Sequence, residues 1–174
     1  MKNLQNLSDG QIIDALVCFA DIAGFTKVAV SMGEDDVVHF LKDIAQITTD
    51  VIEDSPGRIL KYIGDATLII FPDECVDEGV RTLLALKDKL EQFFTSKKLQ
   101  LRVTYASHVG PVTCVYLPPF NSLDILGRTI GTTAKLERGN NGQFTISTQV
   151  FRKLQPNTRK HFHKFTPPVV YRAE

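Results

Sequence analysis

Two aspartates stand where a carboxylate needs company. In residues 17–26, VCFADIAGFT, four apolar or small residues read as a buried strand that ends on Asp21, and in residues 60–71, LKYIGDATLIIF, two strand-like runs flank Gly64 and Asp65. An unpaired charge at the end of a core strand is costly to desolvate, so it normally has water, a cation or a helix terminus as partner. If the two strands are neighbours, both carboxylates leave one edge of a sheet, an arrangement stable only with a shared proton or a shared cation. Magnesium suits such a place, because it accepts carboxylate oxygens together with substrate phosphates and rarely needs an all-protein cage. Gly24 and Gly64 would let the backbone approach a phosphate, and a helix beginning near Phe25 or Thr26 would aim free amides at it. By spacing alone, the same aspartates also fit ordinary turn and cap positions.

The elements that would position these groups follow from the apolar pattern. A polar leader, residues 1–13, precedes a first strand expected over residues 15–20. From Glu34 to Asp54, Val37, Val38, Leu41, Ile44, Ala45, Ile47, Thr48 and Val51 recur at helical spacing, with acidic residues leading the first turn. Ser55-Pro56-Gly57 breaks that helix, and residues 58–63 and 67–71 then form a hairpin around Gly64-Asp65. A second amphipathic helix is expected over residues 76–94, strands over residues 99–108 and 112–117, and a third helix over residues 130–138 after the loop Pro118-Pro119-Phe120-Asn121. Gly139-Asn140-Asn141-Gly142 turns the chain into a short strand at residues 143–147. A small helix at residues 149–154 and a closing strand at residues 169–172 complete the chain. The order suits an α+β fold with helices packed on one face of a largely antiparallel sheet.

Composition narrows the function classes. With 174 residues and 43% hydrophobic content, the chain holds one good core. Lys plus Arg and Asp plus Glu number 20 each, so the totals imply no basic face for nucleic acid. Cys18, Cys75 and Cys114 are widely spaced and form neither a disulfide framework nor a zinc knuckle. No apolar stretch approaches the ~20 residues of a membrane span, and the start lacks a signal-like apolar region. A reducing, cytoplasmic setting without membrane partners is expected.

FADIAGFT resembles the F-x-D-I-x-G-F-T signature of class III adenylate and guanylate cyclases, and LKYIGDATLIIF resembles their K-x-x-G-D hairpin. SHVGPVTC is similar to the family's I-H-x-G-x-V strand, and LDILGRTIGTTAKLE to its D-x-x-G-x-x-V-N-x-A-x-R-L-E segment. The matches occur in family order over about residues 14–172, which the resemblance marks as a cyclase homology domain of residues 14–174 with a ferredoxin-like βαββαβ core. It implies that Asp21 and Asp65, with the carbonyl of Ile22, bind two Mg2+ or Mn2+ ions. Those ions would activate the ribose 3′-hydroxyl of a nucleoside triphosphate to attack the α-phosphate, with pyrophosphate leaving. Lys61 and Asp124 match the pair that reads the base. An ammonium donates to a ring nitrogen of adenine and a carboxylate accepts from its exocyclic amine, so the nucleotide would be ATP. Arg102 and Lys164 resemble triphosphate or pyrophosphate contacts at looser alignment. The family also implies dimers, with metal aspartates from one chain and base-reading and transition-state residues from the other.

Two positions depart from the pattern. The asparagine that orients the ribose is Gly131 here, and the arginine that stabilises charge on the α-phosphate is Lys135. A glycine donates no side-chain hydrogen bond, and an ammonium is a point charge where a planar fork was wanted. Three functions stay open: a weak cyclase making cyclic AMP, a degenerate module acting as nucleotide-binding, regulatory or heterodimer subunit, and another ferredoxin-like nucleotidyl enzyme such as a polymerase palm. The lack of a G-G-D-E-F-like run speaks against a diguanylate cyclase. Lys61 and Asp124 also read as solvated charges. His108 is expected to be structural, and His161 and His163, which could share one side of a strand, to be surface residues.

Overall fold

In the computed structural model, which describes residues 4, 6–119, 122–138 and 141–173, one strand is held from both sides. This strand, β1 (Ile12–Ala23), pairs antiparallel with β3 (Ala66–Pro72) on one edge and β4 (Arg102–Leu117) on the other. Leu16, Val17 and Cys18 are fully buried in consequence. Its sequence is apolar on successive residues rather than alternate ones, which is what a strand covered on both faces requires. Outside β3 lies β2 (Arg58–Ile63); outside β4 lie β6 (Phe144–Ser147), β8 (Val170–Ala173) and β7 (His163–Phe165). Among the described residues a further strand, β5 (Ser122–Leu126), pairs only with β4, and the β4–β6 contact is the one parallel pairing. The order β2-β3-β1-β4, with helices joining β1 to β2 and β3 to β4, is the ferredoxin-like βαββαβ core, extended by the remaining strands.

Two apolar clusters fill the two faces. On one face the short α1 (Phe25–Ala29) and the long α2 (Glu34–Glu53) and α3 (Val76–Ser96) cover Leu16, Cys18, Ile69, Phe71 and Tyr105. Helices α5 (Thr148–Lys153) and α6 (Pro156–Arg159) follow later in the chain, and Val150 and Leu154 join the same cluster. On the other face Val17, Leu68, Ile70, Val112, Leu123 and Ile125 pack with Leu4 and Leu7 of the leader. Helix α4 (Arg128–Glu137) lies on that second face, its Ile130 against this cluster, so the sheet is covered on both faces rather than one. Gly110 permits the approach: a Cβ there would come 2.9 Å from Thr129 Oγ1, and Thr129 donates to the Pro111 carbonyl at 2.7 Å. Among the described residues no helix is long and apolar enough to cross a membrane.

The long helices and the hairpin stand where the sequence predicts them. Strand β1 starts at Ile12, inside the polar leader, and β4 is one strand of 16 residues, not two. Gly110-Pro111 punctuates the sequence like a turn, yet β1 spans it, with Ala15 and Asp14 opposite. Strand β5 replaces what reads as a run-in to a helix, and His161 lies in a turn before β7 instead of sharing a strand with His163. Phe120, Asn121, Gly139 and Asn140, expected in loops, lie outside the described residues. All three cysteines are free and buried, and burial pushes the Cys18 thiol up to about 12.

The ring of Phe71, fully buried, sits between two glycines. A Cβ at Gly57 would meet Phe71 Cε1 at 2.5 Å, and one at Gly79 would meet Phe71 Cγ at 2.7 Å and Leu16 Cδ2 at 3.1 Å. In an open helix Gly→Ala gains roughly 1 kcal/mol, but overpacking a filled core costs about 1–3 kcal/mol. The contacts at Gly79 make packing the larger effect. Gly79→Ala is expected to lower unfolding free energy in urea by about 1–2 kcal/mol, and Phe71→Leu in the same chain to recover part of it. A more stable Gly79→Ala protein would contradict this account of the core.

Candidate active site

The register of β1 with β3 decides where the charges go. Ala20 faces Thr67, so the next residues, Asp21 and Ile22, reach the two-residue turn Gly64-Asp65 that closes the β2–β3 hairpin. Gly64, at φ 64°, takes the left-handed conformation that this turn needs, with open space around it. Burial raises the Asp65 carboxyl above its ordinary value and the Asp21 charge adds to the rise, while the amides of Asp65 itself and Ile22 oppose it. The two carboxylates are thus electrostatic neighbours, each part-exposed. Beside them, Glu91 of α3 is paired with the buried Lys87 and accepts from the Val103 amide at 3.1 Å; Val103 lies opposite Ile22. This ties the helical layer to the strand next to the corner.

Among the described residues no cluster of three histidine, cysteine or carboxylate groups surrounds this corner. The donors on offer are carboxylate oxygens, with backbone oxygen nearby, and a hard cation completes such a set with water and phosphate oxygens. The corner therefore fits Mg2+ or Mn2+. Gly24, at φ 89°, starts α1. Phe25 buries its ring against Phe40, so only its backbone faces outward, while Thr26 is exposed. The pocket that opens here is lined by both aspartates together with Ile44, Leu90, Val103 and Tyr105, and runs toward the helical layer.

Helix α4 presents two different sides. Thr129 and Thr133 are buried toward the sheet, and Glu137 follows one turn later on the same side. There burial raises the Glu137 carboxyl and the Asp21 charge raises it further, against the opposing charge of Arg138. Sequence reasoning passed over Glu137, although it closes the TAKLE stretch. Gly131 and Lys135, four residues apart, are exposed on the opposite side. Within one chain they face away from Asp21.

Lys61 and Asp124 do meet. The Lys61 ammonium lies 2.6 Å from Asp124 Oδ2, and the Ile125 amide donates to Oδ1 at 2.9 Å, so both carboxylate oxygens are engaged. The lysine side chain is 40% exposed, and such pairs contribute about 0–1 kcal/mol, so a ligand can open this one cheaply. Arg102 starts β4 opposite Ala23, on the sheet face of Asp21, with its stem packed against Gly142. Lys164 sits on the outermost strand β7, four strands from β1, and the two are not brought together in one chain. His108 is half-buried on β4, and its partner is Ser147, the buried cap of α5. Ser147 Oγ accepts from the Val150 amide to cap α5 and shares a hydrogen bond with His108 Nδ1 at 2.9 Å.

The sequence profile described as the adenylate and guanylate cyclase catalytic domain matches residues 10–167. The chain is 28% identical over 167 residues to adenylate cyclase 2 of Rhizobium meliloti, covering 90% of this chain and 43% of that protein. It spans under half the length of the curated relatives it matches. Among solved structures, the monomeric guanylyl cyclase domain of the RhoGC fusion protein from Blastocladiella emersonii superposes with TM-score 0.81 at 17% identity, covering 95% of this chain and 98% of that one. The catalytic core of a rhodopsin-guanylyl cyclase with converted specificity, solved with ATPαS, gives 0.81 at 19% identity, with 95% and 98% covered. At such identities these two likenesses concern the fold.

Burial lowers the His108 imidazole below the ordinary value of 6.5. A depressed value means that the neutral ring is favoured by folding. Its contribution is fully present above the unfolded value of 6.5 and is lost as pH falls through the lower folded value. Thermal unfolding of wild type and His108→Gln between pH 8 and pH 5 is expected to show a steeper acid loss in wild type. Parallel curves would remove His108 from this role.

Proposed function

The chain belongs to the family of adenylate and guanylate cyclase catalytic domains, and from that premise we propose that it binds ATP with divalent metal and, as a dimer, converts it weakly to cyclic AMP and pyrophosphate. The observation that carries this reading is the division of the site within one chain. Asp21 and Asp65 occupy one corner, while Gly131 and Lys135 face outward from the other side of α4. A nucleotide held at the corner of one subunit is then completed by the outward side of α4 and the Lys61–Asp124 pair of another. The subunits are two copies of this chain, or one copy with another cyclase-like chain, in the cytoplasm. Asp21, Asp65 and the Ile22 carbonyl would hold Mg2+ or Mn2+ at the corner, which would supply charge neutralisation and a lowered pKa for the attacking hydroxyl. Gly24, Gly64 and the amides at Phe25 and Thr26 give the phosphates close backbone, and Arg102 and Lys164 are the cations nearest in type to family phosphate contacts.

Weakness follows from the two replaced positions. Removing one oriented donor from a developing charge costs ~10²–10³-fold in turnover. Lys135 keeps a charge and Gly131 keeps nothing, so binding outlasts catalysis. The alternative reading is a degenerate subunit that lends Asp21 and Asp65 to a partner carrying the missing groups, and the bare Gly131 favours it. Incubation of the purified protein with manganese and each of the four nucleoside triphosphates, followed by product analysis, separates the two: cyclic AMP from ATP alone supports the cyclase, and no cyclic product supports the subunit.

Two outcomes are expected from substitution. By calorimetry, manganese promotes binding of a non-hydrolysable ATP analogue to wild type and not to Asp65→Ala; equal affinity with metal and with chelator would refute the metal corner. A Cβ at Gly131 meets nothing within 4 Å, and its backbone is helical, so a side chain fits there. Gly131→Asn with Lys135→Arg is therefore expected to raise turnover at least about tenfold. An ordinary enzymatic rate in wild type, with no gain in the double variant, would mean that other residues carry these roles.

A further inference from the structure

Lys61 and Asp124 lie on strands that the sheet does not place side by side. Strand β2 is an edge, β3 and β1 separate it from β4, and β5 pairs only with β4. From β2 to β5 the path crosses four strand spacings, about 19 Å. The β4–β5 hairpin must therefore curl back over the face for the 2.6 Å contact to form. A part-exposed ion pair is too weak to hold that curl alone.

What lies under the curl is the start of the chain. Leu4 and Leu7, 5% and 7% exposed, pack in the cluster that contains Leu68 and Ile70 of β3 and Leu123 of β5. Both sides of the gap grip this segment. From β2, three residues before Lys61, Arg58 Nη1 donates to the Leu4 carbonyl at 2.5 Å. From β4, the Tyr116 hydroxyl donates to the Leu7 carbonyl at 3.0 Å, and the Tyr116 amide donates to Asp9 Oδ1 at 2.9 Å. Tyr116 stands opposite Leu123, and its neighbour Val115 stands opposite Asp124. Gly10 and Gln11 then exchange backbone bonds with Cys114 at 2.9 and 2.8 Å, joining the segment to β1.

We propose that Leu4, Leu7 and Asp9 form a strap that sets the distance between Lys61 and Asp124, making Arg58 and Tyr116 positioning residues for the base end of the nucleotide site. The proposal rests on the nucleotide reading above for its function and on the contacts alone for its geometry. A strap that lets go loosens base recognition and leaves the metal corner, at the Gly64-Asp65 turn that the strap residues do not touch, as it was. Whatever pulls on the chain start would then act on base selection.

The test uses the full chain with Tyr116→Phe, Arg58→Met and Asp9→Ala, the last an exposed residue whose loss leaves the core intact. Without nucleotide, acetylation of Lys61 by an N-hydroxysuccinimide ester is followed by peptide mass spectrometry, with Lys135 as internal reference. The expected result is at least about threefold faster labelling of Lys61 in each variant, the size of one lost hydrogen bond. With manganese, calorimetry compares an ATP analogue with inorganic tripolyphosphate, which has no base. The ATP analogue is expected to weaken about three- to tenfold and tripolyphosphate to be unchanged. Unaltered Lys61 labelling in folded variants overturns the strap, and equal weakening of both ligands overturns its role at the base. If wild type binds neither ligand, the nucleotide reading fails while the labelling still decides the strap.

Discussion

Repulsion between Asp21 and Asp65 is the constraint around which this fold is arranged. Asp65, whose proton affinity is raised by burial and by the Asp21 charge, would move away from its neighbour if the chain allowed it. It does not, because β1 is paired along both edges and Asp65 sits in a two-residue turn whose strands are fixed by the same register. The apolar core thus supplies the energy that holds the charges together, and a cation is what would relieve them. Glu137 extends the negative field from the second face, and Lys87 with Glu91 anchors the helical layer behind it.

Helix α4 shows how one short element presents two unlike sides, one buried and one exposed. Its buried threonines and Gly110 fix it against β4 so closely that its outward side is set by the sheet rather than by solvent. A side chain placed there is aimed without further support. That makes the bare Cα of Gly131 informative: nothing nearby demands glycine, and in a helix interior it costs roughly 1 kcal/mol relative to alanine.

Much of this was legible in the sequence, and the exceptions have physical reasons. Helices α2 and α3 and the β2–β3 hairpin declare themselves because their apolar periods are long and their breakers are unambiguous, as at Ser55-Pro56-Gly57. The aspartates could be located because a charge ending an apolar run is rare. Strand β4 looked divided because Gly110-Pro111 carries the local signal of a turn, while the pairing with β1 that overrides it is made with residues nearly a hundred positions away. Strand β5, at five residues, is too short to show a period, so the stretch holding Asp124 read only as a lead into the third helix. Glu137 was invisible as a neighbour of Asp21 because its contact crosses from helix to sheet. Leu4 and Leu7 read as part of a polar leader because two leucines among polar residues make no pattern until a groove receives them.

The buried cysteines carry a practical consequence. With Cys18 held up to about 12 and Cys75 and Cys114 also raised by burial, the folded chain exposes almost no thiolate at neutral pH. An optical or spin probe attached through a single introduced surface cysteine would report from its chosen position alone, with the native thiols left in place and the core undisturbed.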